Sequence, residues 1–89
     1  MDAPLAVLQA VADPVRWSVL TVLADGPRCV CSLQEVLPVA GNLLSYHLKV
    51  LRDASLVTTS RRGRWIDYAL AEDAHDRMSA ALPGSVVPA

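Results

Sequence analysis

Hydrophobic residues recur at helical spacing in the middle of the chain. Leu44, Leu48 and Leu51 stand at positions i, i+4 and i+7 and form one apolar stripe. At about 100° per residue, the polar side chains between them point away from that stripe. This polar face carries Asn42, Ser45, Tyr46 and Lys49. The pattern predicts a helix from Asn42 to Ala54 that is buried on one side and exposed on the other.

Apolar patterns predict further helices near both ends of the chain. Residues 4–12 are apolar almost all round, which is typical of a short helix that is buried on several sides or lies in an interface. Asp13 and Pro14 supply an N-cap and a first helical residue for the next helix, which residues 25–27 end. A last helix begins near Glu72 and ends at residues 83–84. The predicted buried positions in these two helices are Val15, Val19, Val22 and Leu23, and Ala74, Met78, Ala81 and Leu82.

The segment before the central helix combines an extended stretch and a short helix. Alternating polarity from Arg28 to Cys31 predicts extended backbone, with Val30 turned inward and both thiols on the opposite face. Ser32 and Glu35 stand three residues apart as in a capping box, which predicts a helix from Ser32 to Leu37. Residues 38–41 then form the turn to the central helix.

After the central helix the pattern changes to that of a hairpin. Ser55 stands where a left-handed residue is expected after a helix, and residues 56–59 are rich in β-branched side chains. Arg62 and Gly63 predict a tight turn, and alternation from Ile66 to Leu70 predicts the return strand. We therefore expect a mainly α fold with a β-hairpin wing (α+β): a winged helix-turn-helix with about five helices and a two-stranded wing. Residues 1–83 form the domain, and residues 84–89 a flexible tail.

The composition predicts that the domain pairs with a second copy of itself. The chain has 89 residues, of which 53% are hydrophobic and none is Phe, so its core is small and aliphatic. A domain of this size buries only about two thirds of its unfolded surface. So high an apolar fraction indicates that part of it lies between subunits. We expect a homodimer formed by the first and last helices.

The charge distribution predicts a polyanionic partner. The net charge is −1, but five of the eight cations lie between residues 49 and 64, where Asp53 is the only acid. A local basic patch beside a helix with a polar face fits double-stranded DNA. The expected groove contacts are Asn42, Leu43, Ser45, Tyr46 and Lys49, and the expected phosphate or minor-groove contacts are Arg61, Arg62 and Arg64.

The sequence also predicts the compartment. No apolar run approaches the length of a membrane span, and no signal peptide pattern opens the chain. The two cysteines stand only two positions apart, and a disulfide between them closes a strained ring. We expect free thiols in a reducing cytoplasm and no membrane partner.

Three segments resemble the ArsR/SmtB family of bacterial metal-sensing repressors. They are residues 12–16 (ADPVR), 44–52 (LSYHLKVLR) and 63–70 (GRWIDYAL). The resemblance covers about residues 5–82. It implies a winged helix-turn-helix, a homodimer and an operator that is an inverted repeat. It also implies that the protein binds DNA without metal and dissociates when metal or another inducer binds.

Within that family, Cys29-Val30-Cys31 resembles the arsenic-sensor motif. Thiolates are the soft ligands that arsenite, antimonite, cadmium and zinc prefer, and a helix N-terminus beside Arg28 lowers a thiol pKa. In an extended segment the two sulfurs would lie roughly 6–7 Å apart, whereas tetrahedral ligation needs about 3.8 Å. Chelation is therefore expected to bend the segment and move the next helix. The predicted inducer is a thiophilic ion, with arsenite first, and no organic cofactor is expected.

Several alternatives remain open. The third cysteine that this motif often contains is replaced by Gln34, so water, a small thiol or another side chain would complete the site. The two cysteines could also simply fill space in the core. A winged-helix regulator with a redox-sensing dithiol, or with a non-metal inducer, is the other functional hypothesis.

The histidines are expected to be structural. Asp73 and His75 match half of a second metal site of the family, but its other half falls near Val86 and Ala89, which cannot bind metal. His75 is therefore expected to be solvated, and His47 to be hydrogen-bonded beside the leucine stripe. The chain has no Gly-rich phosphate loop and no Cys followed six positions later by Arg, so we do not expect an enzyme.

Overall fold

The computed structural model describes residues 3–84. These residues form five helices and a three-stranded antiparallel sheet, which confirms the expected winged helix-turn-helix with a hairpin wing. The elements are α1 (Ala3–Val11), α2 (Pro14–Leu23), β1 (Arg28–Cys29), α3 (Val30–Val36), α4 (Gly41–Asp53), β2 (Val57–Arg62), β3 (Trp65–Leu70) and α5 (Ala74–Ala81). Of the expected tail, residues 85–89, which include Val86 and Ala89, lie outside the described residues.

The leucine stripe of α4 forms the centre of the core. Leu44, Leu48 and Leu51 are all buried, as the helical period predicts. They pack with Leu33 of α3 and with three residues of α2. The buried residues of α2 are Val19, Leu20 and Leu23. The expected Val15 and Val22 are only half-buried, and Leu20, which the expected stripe omitted, replaces them in the core.

The sheet contains one strand more than the sequence predicts. Its order is β1-β3-β2, so the two residues of β1 join the free edge of the wing. The hairpin turn consists of Gly63 and Arg64, because Arg62 pairs directly with Trp65; the turn expected at residues 62–63 is therefore one residue too early. Gly63 has a φ of +62°, which suits glycine at the first central position of a two-residue turn.

The capping box expected at Ser32 is wrong. Helix α3 begins two residues earlier, at Val30, and Cys29 is its N-cap. The Cys29 sulfur accepts a hydrogen bond from the backbone N–H of Ser32 at 3.4 Å. The Ser32 hydroxyl instead accepts a hydrogen bond from Arg28 at 3.0 Å. Because Cys29 pairs with Asp67 in the sheet, the extended backbone ends there and the helix begins at the next residue.

Two arginines hold α4 in place, one near its middle and one at its C-terminal end. Arg16 of α2 donates hydrogen bonds to the carbonyl oxygens of Gln9 and Ala10, at 3.1 and 2.6 Å, and to Nδ1 of His47 at 2.9 Å. The hydrogen-bonded, structural role expected for His47 is thus confirmed. At the end of α4, Arg77 donates to the carbonyls of Ala54 and Ser55, which the helix leaves without partners. Ser55 has a φ of 60°, the left-handed conformation that was expected.

Helices α1 and α5, from the two ends of the chain, pack against each other. Among residues 3–84, no single helix is long and apolar enough to cross a membrane. The segments Pro4–Val11 and Pro14–Leu23 reach that length and composition only as a pair, which is bent by 91°.

Candidate functional site

Helix α4 exposes the face that the sequence assigns to the DNA groove. Asn42, Leu43, Ser45, Tyr46 and Lys49 are all exposed. The rings of Tyr46 and His47 pack edge-on, with centroids 5.1 Å apart, and this contact helps to hold the Tyr46 side chain in position. Lys49 pairs with Asp53 at 2.7 Å, but both side chains are exposed, and such pairs contribute little. Lys49 can therefore exchange Asp53 for a DNA partner at small cost.

The three arginines of the wing differ in their surroundings. Arg62 donates two hydrogen bonds to the carboxylate of Asp67, at 2.9 and 3.0 Å. These bonds hold the pKa of Asp67 below its usual range. Among residues 3–84, Arg61 and Arg64 form no ion pair and are exposed. Two of the three expected phosphate contacts are thus directly available, whereas Arg62 is held by an acid of its own hairpin.

The two thiols converge on one point at the base of the wing. The sulfurs of Cys29 and Cys31 lie 2.6 Å apart, and the residues are half-buried and exposed, respectively. The separation expected for an extended segment is wrong, because Cys31 lies in the first turn of α3 rather than in a strand. Val30 packs against the core, as expected. The backbone therefore already presents both sulfurs to one ligand.

The thiols differ in acidity because they share a hydrogen bond. The hydrogen bond with the Cys31 side chain is the largest cause that lowers the pKa of Cys29, and the bond from the backbone N–H of Ser32 lowers it further. The same hydrogen bond raises the pKa of Cys31. The negative charge of Asp67 acts in the opposite direction on Cys29 and raises its pKa. The lower pKa favours ionisation of Cys29 before that of Cys31.

Two clefts flank the thiols. One, of about 360 Å³, is polar and contains Arg28, Ser32, Arg62 and Asp67 beside Cys29. The other, of about 320 Å³, is lined by both cysteines, Val30, Gln34, Arg64, Trp65 and Ile66. The β3 residues Trp65, Ile66 and Asp67 were not among the predicted site residues. The pairing of β1 with β3 places them beside the thiols, and a strand of two residues carries too little pattern to predict that pairing.

The thiol site also contacts the start of the DNA-facing helix. Gln34, which lines the second cleft, extends over Gly41, the first residue of α4. A β-carbon on Gly41 would lie 2.8 Å from Nε2 of Gln34. The side-chain amide of Gln34 therefore lies directly over the first residue of α4.

The donor set suits a soft ion bound by two ligands. Within residues 3–84, no group of three or more His, Cys, Asp and Glu side chains converges on a metal-sized site. Asp73 precedes α5 without capping it through its side chain, and His75 is exposed, as expected. The dithiol therefore remains the candidate ligand site, and Gln34 does not supply a third sulfur.

The sequence and the fold both match known regulators. Residues 13–59 match the profile of the bacterial regulatory protein arsR family. The chain is 42% identical over 72 residues to the HTH-type transcriptional repressor SmtB of Mycobacterium tuberculosis, covering 81% of this chain and 53% of that one. It is 41% identical over 66 residues to the arsenical resistance operon repressor of Bacillus subtilis, covering 73% and 63%. The chain thus spans between half and two thirds of the length of these relatives.

A solved structure shows the same arrangement of elements. The crystal structure of a possible transcriptional regulator for arsenical resistance superposes with a TM-score of 0.78 and 31% identity. The match covers 83% of this chain and 77% of that chain. The helices, the wing and their order are therefore shared over most of the domain.

Proposed function

Because the chain belongs to the arsR family of bacterial regulatory proteins, we propose that it is a homodimeric repressor that binds an inverted repeat in double-stranded DNA. We propose further that it dissociates from the DNA when a thiophilic ion binds Cys29 and Cys31. The domain is a winged-helix regulator and not an enzyme. The proposed binding of an ion by Cys29 and Cys31 is supported chiefly by one observation, the contact between their two sulfurs.

The exposed face of α4 is the proposed groove-binding surface. Asn42, Ser45, Tyr46 and Lys49 supply hydrogen bonds, an aromatic ring and one cation to base edges, and Leu43 an apolar contact. Arg61 and Arg64 bind phosphates from the wing. Arg62 can join them only by leaving Asp67, so its contribution to DNA binding is expected to be the smallest of the three.

Arsenite is the first inducer to test, followed by antimonite, cadmium and zinc. Thiolates are the preferred ligands of these ions. The relative in Bacillus subtilis is named as a repressor of an arsenical resistance operon, which supports arsenic chemistry here. Two adjacent sulfurs supply two of the bonds, and water or a small thiol would complete the coordination.

We expect ion binding to weaken DNA binding because it moves the two sulfurs slightly apart. Tetrahedral ligation of zinc or cadmium places two sulfurs about 3.8 Å apart, and three-coordinate arsenic also needs them farther apart than the 2.6 Å between them here. Cys29 belongs to the strand that pairs with the wing, whereas Cys31 belongs to α3, which contacts α4 through Gln34. Separating the sulfurs therefore displaces the wing relative to α4. The ligand must favour the displaced form strongly, since reversing a 99:1 occupancy takes about 5.5 kcal/mol.

The experiment is a DNA-release assay with single cysteine variants. Fluorescence anisotropy of a labelled inverted repeat should fall when arsenite is added to the reduced wild-type complex. Cys29→Ser and Cys31→Ser should still bind the DNA, because neither sulfur lies on the exposed face of α4. Neither should respond to arsenite, because one thiol cannot chelate. A Cys31→Ser protein that remains fully inducible would overturn the proposal.

The sulfur contact also favours a redox-sensing dithiol as a second candidate function. In that case a peroxide would oxidise Cys29 to a sulfenic acid, and Cys31 would then displace water to form the disulfide. The two functions separate in an excess of a phosphine reductant that contains no thiol. Arsenite still releases the DNA there if the site binds ions, whereas peroxide loses its effect.

A further inference from the structure

We propose that Arg16 of α2 is a positioning residue for sequence reading. It holds the His47 ring in one orientation, and through that ring it fixes the Tyr46 side chain on the exposed face of α4. The inference rests on the proposed function, because it takes Tyr46 as a groove contact. It follows from three successive contacts, which run from the end of α1 to the surface of α4.

The first contact completes the hydrogen bonding at the C-terminus of α1. The last four carbonyl groups of a helix lack partners within it. In α1 the backbone N–H groups of residues 12 and 13 bind the first and the last of these carbonyls. The two between them, of Gln9 and Ala10, accept hydrogen bonds from Nη2 and Nε of Arg16, at 3.1 and 2.6 Å. Two of the three guanidinium nitrogens are thus fixed by backbone.

The third nitrogen of the guanidinium orients His47. Nη1 of Arg16 lies 2.9 Å from Nδ1 of His47. A guanidinium can only donate, so Nδ1 accepts and carries no proton, and the neutral ring has its proton on Nε2. The His47 side chain is only 12% exposed, so little solvent competes for Nδ1. The bond therefore defines one orientation of the imidazole.

Asp13 does not compete for this nitrogen. Its carboxylate lies 3.8 Å from Nδ1 of His47, which is longer than a hydrogen bond. The same carboxylate oxygen accepts hydrogen bonds from the backbone N–H groups of Val15 and Arg16, at 2.8 and 3.0 Å, as the N-cap of α2. The partner that orients the His47 ring is therefore Arg16.

The last contact passes this orientation to Tyr46. The rings of His47 and Tyr46 have centroids 5.1 Å apart and planes inclined by 64°. This edge-on arrangement is favoured by the charge distribution of aromatic rings. Tyr46 is 57% exposed, and a fixed His47 ring beside it restricts its motion. Less conformational entropy is then lost when Tyr46 binds a base edge.

The test measures how well variants distinguish two DNA duplexes. One is the duplex that the wild type selects from a random library, and the other is a shuffled duplex of the same composition. A variant that is only less stable binds both more weakly, and the ratio of the two affinities stays the same. Arg16→Met should lower this ratio by about twofold to tenfold, the range of one lost aromatic contact. Its affinity for the shuffled duplex should be unchanged, because the phosphate contacts of the wing remain.

A double-mutant cycle shows whether Arg16 acts through Tyr46. Tyr46→Ala alone should lower the ratio, and adding Arg16→Met to it should lower the ratio no further. Arg77→Met is the matched control, because Arg77 also donates to two carbonyls, those of Ala54 and Ser55 at the end of α4. It should reduce thermal stability and leave the ratio unchanged.

His47→Leu tests the same contacts from the other side, and it decides the question if Arg16→Met does not fold. This variant keeps the bonds from Arg16 to α1 and removes the ring between Arg16 and Tyr46. Its ratio should fall as far as that of Arg16→Met. In the Tyr46→Ala background it should again have no further effect.

Fluorine NMR of the free protein supplies a readout that needs no DNA. When 3-fluorotyrosine replaces tyrosine, the chain carries two labelled rings, at Tyr46 and Tyr68. Arg16→Met and His47→Leu should shift the Tyr46 signal, because its ring loses a fixed neighbour. The signal of Tyr68, which is half-buried in β3, should stay in place. Arg77→Met should leave the Tyr46 signal unchanged.

Three results would overturn the inference. They are a wild-type ratio in Arg16→Met or in His47→Leu, losses from Arg16→Met and Tyr46→Ala that add in the double variant, and a loss in Arg77→Met as large as that in Arg16→Met. Failure of the proposed function looks different. In that case the wild type selects no duplex, or Tyr46→Ala keeps the full ratio, although the Tyr46 fluorine signal still responds to Arg16→Met. Such a result would also remove the role of Arg16 in reading DNA.

Discussion

The two cysteines, separated only by Val30, have different surroundings. Cys29 is the N-cap of α3 and accepts a hydrogen bond from the backbone N–H of Ser32, whereas Cys31 lies inside the helix and shares a hydrogen bond with the Cys29 sulfur. The sequence could not show this, because Ser32 and Glu35 fit a capping box equally well. Cysteine is not among the favoured N-cap residues. The sheet pairing of Cys29 with Asp67 decides where the helix begins.

This asymmetry predicts the effect of removing one thiol. In Cys31→Ala the pKa of Cys29 should rise toward its ordinary value, because the largest cause of its lowering is the hydrogen bond from Cys31. Alkylation of Cys29 at neutral pH should become slower, and its pH profile should move to higher pH. Cys31→Ser is the control, since a hydroxyl can still donate to the sulfur. Equal alkylation profiles for the two variants would show that the hydrogen bond does not set the pKa.

At the scale of elements, long periodic segments were predictable and contacts between elements were not. The bounds of α4 differ from the prediction by one residue at each end, and its buried stripe is as expected. The wing was predicted as a hairpin, and its turn is shifted by one residue. The register of β3 with β1 and β2 determines the features that were not predicted. These are the third strand, the start of α3 and the pair of Arg62 with Asp67. One sequence carries no signal for that register in a strand of two residues.

The wing arginines should differ in the salt dependence of DNA binding. Arg61→Ala should lower the slope of log affinity against log salt by about 1, as expected for one lost phosphate contact. Arg62→Ala should change the slope less, because Arg62 is already neutralised by Asp67. Asp67→Asn should have the opposite effect and strengthen binding at low salt, since it releases Arg62. A larger change of slope in Arg62→Ala than in Arg61→Ala would refute this division of roles.

The domain as a whole exposes apolar surface where two helices pack on each other. Leu5 of α1 is 57% exposed, and Leu82 at the end of α5 is 55% exposed. Only Ala74 of α5 is fully buried, and Met78 and Ala81 are half-buried, so the expected stripe is incompletely covered within one chain. The apolar composition had predicted a homodimer through these helices. The exposed leucines support that prediction and identify the surface on which to test it.

A charge on this surface should dissociate the dimer. Sedimentation of the wild type at micromolar concentration should give the mass of two chains, whereas Leu5→Glu should give a folded monomer. Leu43→Glu is the matched control, because Leu43 is 52% exposed but lies on α4, and it should remain dimeric. A wild type that sediments as a folded monomer, or a Leu5→Glu protein that sediments as a dimer, would contradict the assignment of the interface.

In the proposed ligand site both thiols belong to one chain, which predicts the shape of the dose–response curve of induction. Cys29 and Cys31 are two residues apart, so a dimer would contain two complete sites, each beside its own half of the operator. Loading one protomer would impair one half-site, and the other half alone holds DNA far more weakly. Half-saturation of the thiols should therefore already free most of the DNA. Induction would begin at ligand concentrations below those at which the protein population is filled.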